Sequence, residues 1–381
     1  MTSLRALASG SCALVVVMAC QATATTPTAS NPAPTANVPG PTSLPPTVPV
    51  PTAPVPTATP VRIGAVPTPT LINVDDMMGA IQQQTVFVTT ASQVSAVTLL
   101  NHFTRYRIAT NGLARLAVSP TGQWLYVLDA DAPGMHRLRV FDVTSGNQRG
   151  AQTGVQDVVD DPRAMQTSAD GRVYVLKSDA DHAWVDGYND YTMRPLGAVM
   201  DKPGCGDRLV ISGWRAALLC LDAGEVAIGD LRGHHDAIDG SLRNVVGAGM
   251  ANDGALYLVS ADQRLGVVRT GATKVVALPW PEDWSGVVVP DGLSFPNNGT
   301  LGTLTQQTDD GVWVRVFVSN TMETGPSFRL AGLPRGGVLM MWPFGYYTVG
   351  STIRHVDLTT GLLETMTDVG ADAVPGAVVN G

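Results

Sequence analysis

The feature that most constrains this chain is an internal repeat with a period in the forties. Six segments share an apolar stretch, a polar turn with glycine and a second apolar stretch; the turn glycines are Gly122, Gly171, Gly213, Gly254, Gly299 and Gly345. Their spacings are 49, 42, 41, 45 and 46 residues. Repeats of this length with strand-like content are typical of β-propellers, in which each repeat is one blade. The sequence therefore predicts an all-β propeller of four-stranded antiparallel blades within residues 71–381.

The second half of the repeat carries its own signature. LRVFDVTSG (Leu138 to Gly146) and IRHVDLTTG (Ile353 to Gly361) both end a strand in Asp-x-Thr-x-Gly, which suits the turn of an outer hairpin. With SPTGQWLYV and SADGRVYV, these segments resemble the repeats of the YVTN and WD-repeat-like β-propeller superfamily. The resemblance covers about residues 85–381 and implies a propeller, but it implies little about activity.

Ring closure predicts the number of blades. The chain ends in PGAVVNG, which looks like the first strand of a seventh repeat without its partners. The partners are expected at the other end of the domain, in TVFVTTAS, VSAVTLL and YRIAT. We therefore expect seven blades, the last one closed by a strand from Pro375 to Asn380 that pairs near Val86. Closure removes the unpaired edges that an open sheet would expose.

The N-terminus is predicted to be an export signal. Arg5 supplies a positive charge, and Ser11 to Ala19 form a nine-residue apolar core that is too short for a membrane span. Ala19 before Cys20 resembles the lipobox of bacterial lipoproteins, although Val17 and Met18 depart from it. Residues 1–19 are then a lipoprotein signal peptide, and a lipid on Cys20 would hold the protein at the extracytoplasmic side of the cell membrane. An ordinary signal peptide or a misassigned start remains the alternative.

A long tract without a core follows the signal. Residues 21–70 hold 14 of the 27 prolines, 12 threonines and one charge, Arg62. Such a composition favours extended polyproline II, so residues 20–70 are predicted to be the lipidated terminus and a disordered stalk. All 32 acidic residues and 22 of the 24 basic ones lie beyond residue 70. Because the predicted head is acidic, nucleic acid is an unsuitable partner, and we expect a monomeric head.

The cysteines fit an exported domain. Cys12 would leave with the signal and Cys20 would be acylated, which leaves Cys205 and Cys220. They flank a predicted hairpin with its turn at Ser212 and Gly213, where opposed residues lie within reach of a disulfide. We expect a cross-strand disulfide; two buried thiols are the alternative.

Two patterns could hold a cation, and the sequence implies no other cofactor. The segment GHHDAID offers His234, His235, Asp236 and Asp239, and we interpret it as an inter-blade loop in which metal binding is the less favoured alternative. Several predicted second strands are followed by acidic turns, which could ring one rim of the propeller and attract calcium. These turns contain Asp129, Asp131, Asp179, Asp181, Asp222, Asp309 and Asp310. Aspartate is also a common turn residue, which is the simpler interpretation.

Aromatic residues offer a third kind of site. Trp280 and Trp284 lie in PWPEDW between strands and could bind a sugar or a peptide. The other tryptophans near predicted strands, Trp124, Trp214, Trp313 and Trp342, are expected to pack between blades.

Two function classes fit the sequence, which has no G-x-S-x-G elbow and no glycine-rich phosphate loop. The favoured one is a surface-anchored binding scaffold whose loops engage a protein, peptide or glycan. The alternative is a propeller enzyme, similar to lactonases or quinoprotein dehydrogenase subunits, with its site in the central channel. At least three convergent His, Asp or Glu side chains in the channel would favour the enzyme, whereas an apolar channel would favour the scaffold.

Overall fold

The structure, a computed structural model, describes residues 84–233, 235–238, 242–296 and 300–380, without the side chains of residues 235–237. The predicted signal peptide, Cys20 and stalk lie outside the described residues. The strands in chain order are β1 Thr85–Thr89, β2 Gln93–Thr98, β3 Thr104–Ala109, β4 Arg115–Val118, β5 Trp124–Ala132, β6 Met135–Asp142, β7 Gln148–Gln156, β8 Met165–Thr167, β9 Val173–Ser178, β10 His182–Tyr188, β11 Pro195–Pro203, β12 Arg208–Ser212, β13 Arg215–Cys220, β14 Glu225–Asp230, β15 His235–Ile238, β16 Val245–Met250, β17 Leu256–Ser260, β18 Leu265–Val268, β19 Val276–Leu278, β20 Val287–Ser294, β21 Leu301–Thr308, β22 Gly311–Val318, β23 Thr324–Leu330, β24 Leu339–Met341, β25 Phe344–Val349, β26 Thr352–Asp357, β27 Leu363–Asp368 and β28 Val374–Val379.

These strands form seven four-stranded antiparallel sheets, which confirms the predicted seven-bladed propeller. Blades 1 to 6 each use four consecutive strands, from β4–β7 through β24–β27, and we name the strands of a blade A to D from the channel outward. Blade 7 has the order β28, β1, β2, β3, so its A strand comes from the C-terminal end of the domain. Val86 pairs with Val378 in this blade, as predicted for the closing strand. The described residues include no helix with the length and hydropathy of a membrane span.

Burial explains the sequence pattern of each strand. The B strands lie between neighbouring blades and are covered on both sides, so they are continuous apolar runs such as VYVL in β9. The outer strands expose alternate residues, as in β3. Seven hydrophobic clusters lie between consecutive blades in the described part of the chain, so the core is a ring of inter-blade contacts.

The two repeat motifs interlock neighbouring blades. Tyr126, from the Tyr-Val segment of blade 1, donates a hydrogen bond to the carbonyl of Gly171 in the next hairpin at 3.3 Å. In the Asp-x-Thr-x-Gly turn, Asp142 accepts the Ser145 amide at 2.8 Å, and Gly146 adopts a positive φ of 70°. The ring of Tyr106 in the preceding blade lies directly against Gly146, where a Cβ would collide with it. The motif therefore serves the contact between blades as well as the turn.

Strand direction defines two faces of the ring. Face 1 carries the starts of the A strands and the B–C hairpins. Face 2 carries the A–B hairpins and the C–D turns. The acidic turns predicted to share one rim do lie in or beside B–C hairpins, and hence on face 1.

The prediction that Gly345 lies in a hairpin turn was wrong. Met341 pairs with Phe344 across a two-residue turn of Trp342 and Pro343, so Gly345 lies within β25. A Cβ at Gly345 would press against Val338 of the same blade. This glycine is needed for packing, and Gly299 lies outside the described residues.

Candidate functional site

The central channel is the first candidate site, because seven A strands converge on it. It encloses about 220 Å³ and is lined mainly by apolar side chains such as Met165, Met250 and Met340. Two polar side chains of its wall are engaged in contacts between blades. Gln166 accepts the Ile211 amide at 2.8 Å, and Thr167 donates to the Val118 carbonyl at 2.7 Å. The wall of the channel thus helps to hold neighbouring blades together.

A network of arginines and aspartates closes the face 1 end of the channel. Arg208 at the start of β12 pairs with Asp161 through Nε at 2.9 Å and with Asp291 through Nη1. Arg163 donates to the Asp291 carbonyl at 3.2 Å, and Arg115 donates to the Asp161 carbonyl at 3.2 Å. We call these five residues the mouth network. Four of the seven blades contribute to it through side chains or backbone. They are blades 1, 3 and 5, together with blade 2, to which we assign the link before β8.

Charge pairing outweighs burial at two members of the mouth network, Arg208 and Asp291. Burial would lower the pKa of Arg208, but Asp291 and Asp161 raise it. Burial would likewise raise the pKa of Asp291, but Arg163 and Arg208 lower it. Both groups therefore stay charged, and the carboxylates are held as partners of guanidinium groups. A mouth of this kind suits a structural role better than general base catalysis.

Asp291 occupies its place through an unusual backbone. Its φ is 59°, in the left-handed region that aspartate tolerates better than most residues. Gly337, also at positive φ, lies so close to the Asp291 carbonyl that any Cβ there would collide with it. Blade 5 and the link to blade 6 thus fix the aspartate that Arg208 binds.

A second cluster lies on face 2 between blades 6 and 7. His355 of β26 is directly opposite Glu364 of β27 in the strand register, and His102 comes from the C–D turn of blade 7. Glu364 Oε2 is 3.5 Å from His102 Nε2 and 3.7 Å from His355 Nε2. The two imidazole rings meet edge to face, with their centroids 5.8 Å apart. We call these three residues the His–His–Glu cluster.

The environment of His355 disfavours the charged imidazolium. Burial lowers the pKa of His355; Glu364 acts in the opposite direction, and His102 lowers the pKa further. Its Nδ1 is buried without a hydrogen-bond partner among the described residues. The imidazole is thus largely neutral at neutral pH, with an unmet capacity for bonding.

The sequence missed this cluster because its members are distant along the chain. Counting outward from the predicted turn of Asp357 to Gly361 places His355 opposite Leu363, one residue away from its observed partner Glu364. The position of His102 follows only from the order of the blades, since blade 7 contains the N-terminal strands of the domain.

The predicted disulfide is confirmed, but its place in the hairpin was shifted. Cys205 and Cys220 are bonded, with a Cα–Cα distance of 5.4 Å. Arg208 pairs with Leu219, which centres the turn on Gly213 and Trp214 and places Cys205 before β12 begins. The bond therefore ties the link between blades 2 and 3 to the B strand of blade 3.

The predicted His-rich site is only partly described. His235 and Asp236 lie in β15, the D strand of blade 3, so the expectation of a loop was wrong for this stretch. His234 and Asp239 lie outside the described residues. Metal binding by these four residues stays a prediction.

One of the aspartates predicted to line the acidic rim, Asp129, is not exposed there. Asp129 is fully buried in β5, where Arg137 and Arg139 bind its carboxylate at 2.9 and 3.0 Å. A carboxylate with two guanidinium partners is already neutralised, so Asp129 is not a rim ligand for calcium. Calcium binding by the other aspartates stays a prediction.

One tryptophan is more buried than the sequence predicts, and two others are more exposed. Trp284 is buried in the cluster between blades 4 and 5, and its carbonyl accepts the Trp280 indole N–H at 2.7 Å. This burial leaves Trp280 as the partly exposed member of the pair, for which ligand binding stays a prediction. Trp214 and Trp342, which we expected between blades, are substantially exposed on A–B hairpins of face 2.

Comparisons with known proteins support the fold alone. No protein-family model matches the sequence, and no curated protein matches it. Among solved structures, a chain of Kuenenia stuttgartiensis hydrazine synthase superposes with a TM-score of 0.53 at 14% identity, covering 77% of this chain and 94% of that one. A chain in the structure of U3-55K gives 0.53 at 11% identity, covering 70% and 85%. A chain of the mitotic checkpoint complex gives 0.50 at 14% identity, covering 68% and 77%. Such distant likeness carries no activity over to this chain.

Proposed function

We propose that this protein is a surface-anchored scaffold whose propeller binds a protein partner through face 2. One observation carries the proposal. Within the described residues, the strongly exposed aromatic side chains lie in the turns of face 2: Phe103, Tyr191, Trp214 and Trp342. Leu100 and Leu362 accompany them, and these six side chains are 41% to 61% exposed.

Two of these aromatic residues, Trp214 and Tyr191, are held by contacts with other side chains. The guanidinium of Arg232 lies 4.9 Å from the ring centroid of Trp214, which joins the A–B hairpin of blade 3 to its C–D turn. Tyr191 packs edge to face on Trp124, with 5.8 Å between their centroids. Exposed but positioned aromatic rings are typical of the residues that contribute most binding energy in protein interfaces.

Face 1 has a different character. Its exposed apolar side chains are aliphatic, Leu113, Met135, Val287 and Leu333. Its centre is occupied by the mouth network, whose arginines already bond carboxylates or backbone carbonyls. Face 2 is therefore the better candidate for a protein interface.

We further propose that a lipid on Cys20 and the Pro/Thr-rich stalk hold the propeller at the extracytoplasmic side of a membrane. The apolar signal, the lipobox-like Ala19-Cys20 and the absence of acidic residues before position 71 support this proposal. The disulfide agrees with an oxidising compartment. A Cys20→Ser variant should move from the membrane to the released fraction after cell fractionation. Unchanged membrane association would contradict lipid anchoring.

Photocrosslinking can test the binding face. A photoreactive amino acid is placed at Phe103, Trp214 or Trp342 in cells that produce the protein, with Val287 and Leu333 on face 1 as control positions. We expect one discrete protein adduct from the positions on face 2 and none from the controls. Adducts from both faces alike, or from neither, would contradict the proposal.

A direct binding measurement completes the test. The protein identified in the adduct is purified and titrated with the propeller by calorimetry. The double variant Trp214→Ser and Trp342→Ser should weaken the affinity at least about tenfold, because exposed aromatic anchors dominate interfaces. The matched double variant Val287→Ser and Leu333→Ser should leave it unchanged. Equal affinity of both variants, or a glycan in place of a protein as the bound molecule, would overturn the proposal.

A further inference from the structure

We propose that His102, His355 and Glu364 form a zinc site that joins blade 6 to blade 7 on face 2. Two imidazoles and one carboxylate are a donor set that Zn²⁺ commonly uses, with the fourth position left for water or another ligand. The proposal concerns residues that the sequence did not single out, and it does not depend on the proposed protein partner.

The spacing of the donor atoms fits a tetrahedral ion. Ligands at 2.0–2.2 Å from Zn²⁺ are separated from one another by about 3.3–3.6 Å at the tetrahedral angle. The carboxylate oxygen of Glu364 is 3.5 Å from His102 Nε2 and 3.7 Å from His355 Nε2. One ligand atom from each of the three residues lies within 4.8 Å of the others. The three donor atoms therefore lie close enough together to surround one ion.

Hydrogen bonding does not account for this arrangement. Both separations from Glu364 exceed the 2.7–3.2 Å range of N–H···O hydrogen bonds. His355 is 4% exposed, and its Nδ1 also has no partner among the described residues. Neither ring nitrogen of His355 is therefore committed to a hydrogen bond, and coordination of a cation through Nε2 would give one of them a partner.

The cluster is preorganised and accessible. Cross-strand register sets His355 against Glu364, and the ring of Phe344 packs against His355 with 5.1 Å between centroids. His102 has a positive φ of 57°, and its amide donates to the Thr98 carbonyl at 3.1 Å, which holds the turn. The side chains of His102 and Glu364 are 30% and 41% exposed, so an ion could enter from solvent and keep an open position.

The position gives the ion a structural effect. Two ligands come from blade 6, and the third comes from the N-terminal strands of blade 7, which are joined to the ring through β28. An ion held by both blades binds the closed ring better than the open one. Zinc should therefore stabilise the folded propeller by mass action.

Among the described residues, a second group with suitable donor types is already committed. Cys205, Asp207 and Cys220 lie close together, but the two sulfurs are joined in the disulfide. This group cannot supply thiolates to an ion while the bond is intact.

Calorimetry with metal-free, disulfide-bonded protein tests the site. ZnCl₂ should bind with a stoichiometry of one. His355→Ala and Glu364→Gln should each weaken binding at least about tenfold, since even indirect supports of metal sites contribute 10–100-fold. Glu364→Gln removes a ligand charge from a partly exposed position, so it tests the site with little risk to folding. Near-ultraviolet circular dichroism checks that each variant is folded.

His182→Ala is the matched control. His182 also has an aspartate beside it, with Nδ1 3.0 Å from Asp179, but it lacks a second histidine. This variant should bind Zn²⁺ as tightly as the parent protein. Cobalt(II) in place of zinc should give the intense visible absorption of a four-coordinate site in the parent and lose it in Glu364→Gln. No stoichiometric binding of Zn²⁺, or binding lost in a His234→Ala and His235→Ala double variant but kept in Glu364→Gln, would overturn the proposal.

Discussion

The mouth network and the His–His–Glu cluster are both groups of ionisable residues assembled from different blades, yet they differ in how their bonding capacity is met. In the mouth network, Arg208 bonds two carboxylates, and Arg115 and Arg163 bond backbone carbonyls. In the His–His–Glu cluster, the donor atoms approach one another without hydrogen bonds, and a buried nitrogen has no partner. Ionisable groups whose hydrogen bonds are made are typical of structural networks, whereas the cluster keeps its Nε2 and carboxylate atoms free of hydrogen bonds and available to a ligand.

The largest effect is expected from opening the ring, which both regions depend on. Deleting residues 374–381 removes β28, the A strand of blade 7, and exposes the edge of β1. We expect loss of the cooperative unfolding transition in urea, because one inter-blade cluster loses the buried Ala377 and Val379 and its neighbour loses the partly buried Val378. Deleting residues 380–381 alone should preserve the transition. A folded protein after the longer deletion would show that closure does not hold the two regions in place.

Arg208→Met breaks the mouth network directly. The substitution leaves Asp161 and Asp291 as buried carboxylates without this partner, which should destabilise the fold by about 3–5 kcal/mol. Urea denaturation at pH 7 measures the loss. The exposed pair of Arg264 and Asp262 is the control, since Arg264→Met should change stability by less than about 1 kcal/mol. Equal effects of the two substitutions would remove the distinction between a structural network and surface pairs.

Asp291→Asn tests the same network through pH. Because the folded pKa of Asp291 is lowered, its contribution is complete above the unfolded value of about 3.9 and is lost as the pH falls through the folded pKa. Asparagine tolerates the left-handed backbone, so the variant removes the charge and keeps the turn. It should be less stable by about 1.5–3 kcal/mol at pH 7.

The pH dependence of this variant distinguishes charge from packing. The free energy of unfolding should fall less steeply in Asp291→Asn than in the parent protein as the pH decreases below about 4. Asp283→Asn, on an exposed turn, should follow the parent. Parallel curves for Asp291→Asn and the parent would contradict a charged role for Asp291.

The smallest effect is expected in the His–His–Glu cluster. His355→Phe removes an imidazole that makes no hydrogen bond. The free energy of unfolding of the metal-free protein should therefore change by less than about 1 kcal/mol. With ZnCl₂ present, the parent should gain thermal stability and the variant should not. A large loss of stability in metal-free His355→Phe would mean that the cluster is structural, like the mouth network.

The sequence predicted the fold far better than the sites. Periodic hairpins, the unpaired C-terminal strand and the Asp-x-Thr-x-Gly turns are local patterns, and the order of the blades follows from them. The mouth network could not be predicted, because Arg115, Asp161, Arg208 and Asp291 come from separate blades and meet only at the channel. Asp129 was assigned to a solvent rim for a related reason: its arginine partners lie in the next strand, and their pairing with it is set by register.

Small errors of register also limited what could be said of side chains. The disulfide was correctly paired, although the hairpin turn lies one residue later than expected. Gly345 was taken for a turn residue because the two-residue turn of Trp342 and Pro343 contains no glycine. Since a shift of one residue reverses the face of a strand, such errors move a side chain between core and solvent.

Anomalous X-ray scattering at the zinc edge, from crystals of the zinc-loaded protein, tests most directly whether the unsatisfied cluster is the ligand site. The account predicts one strong peak about 2.0–2.2 Å from the Nε2 atoms of His102 and His355 and an Oε atom of Glu364, with none in the channel or at its mouth. A peak in the mouth network or at His234 and His235, or no ordered zinc at all, would contradict it.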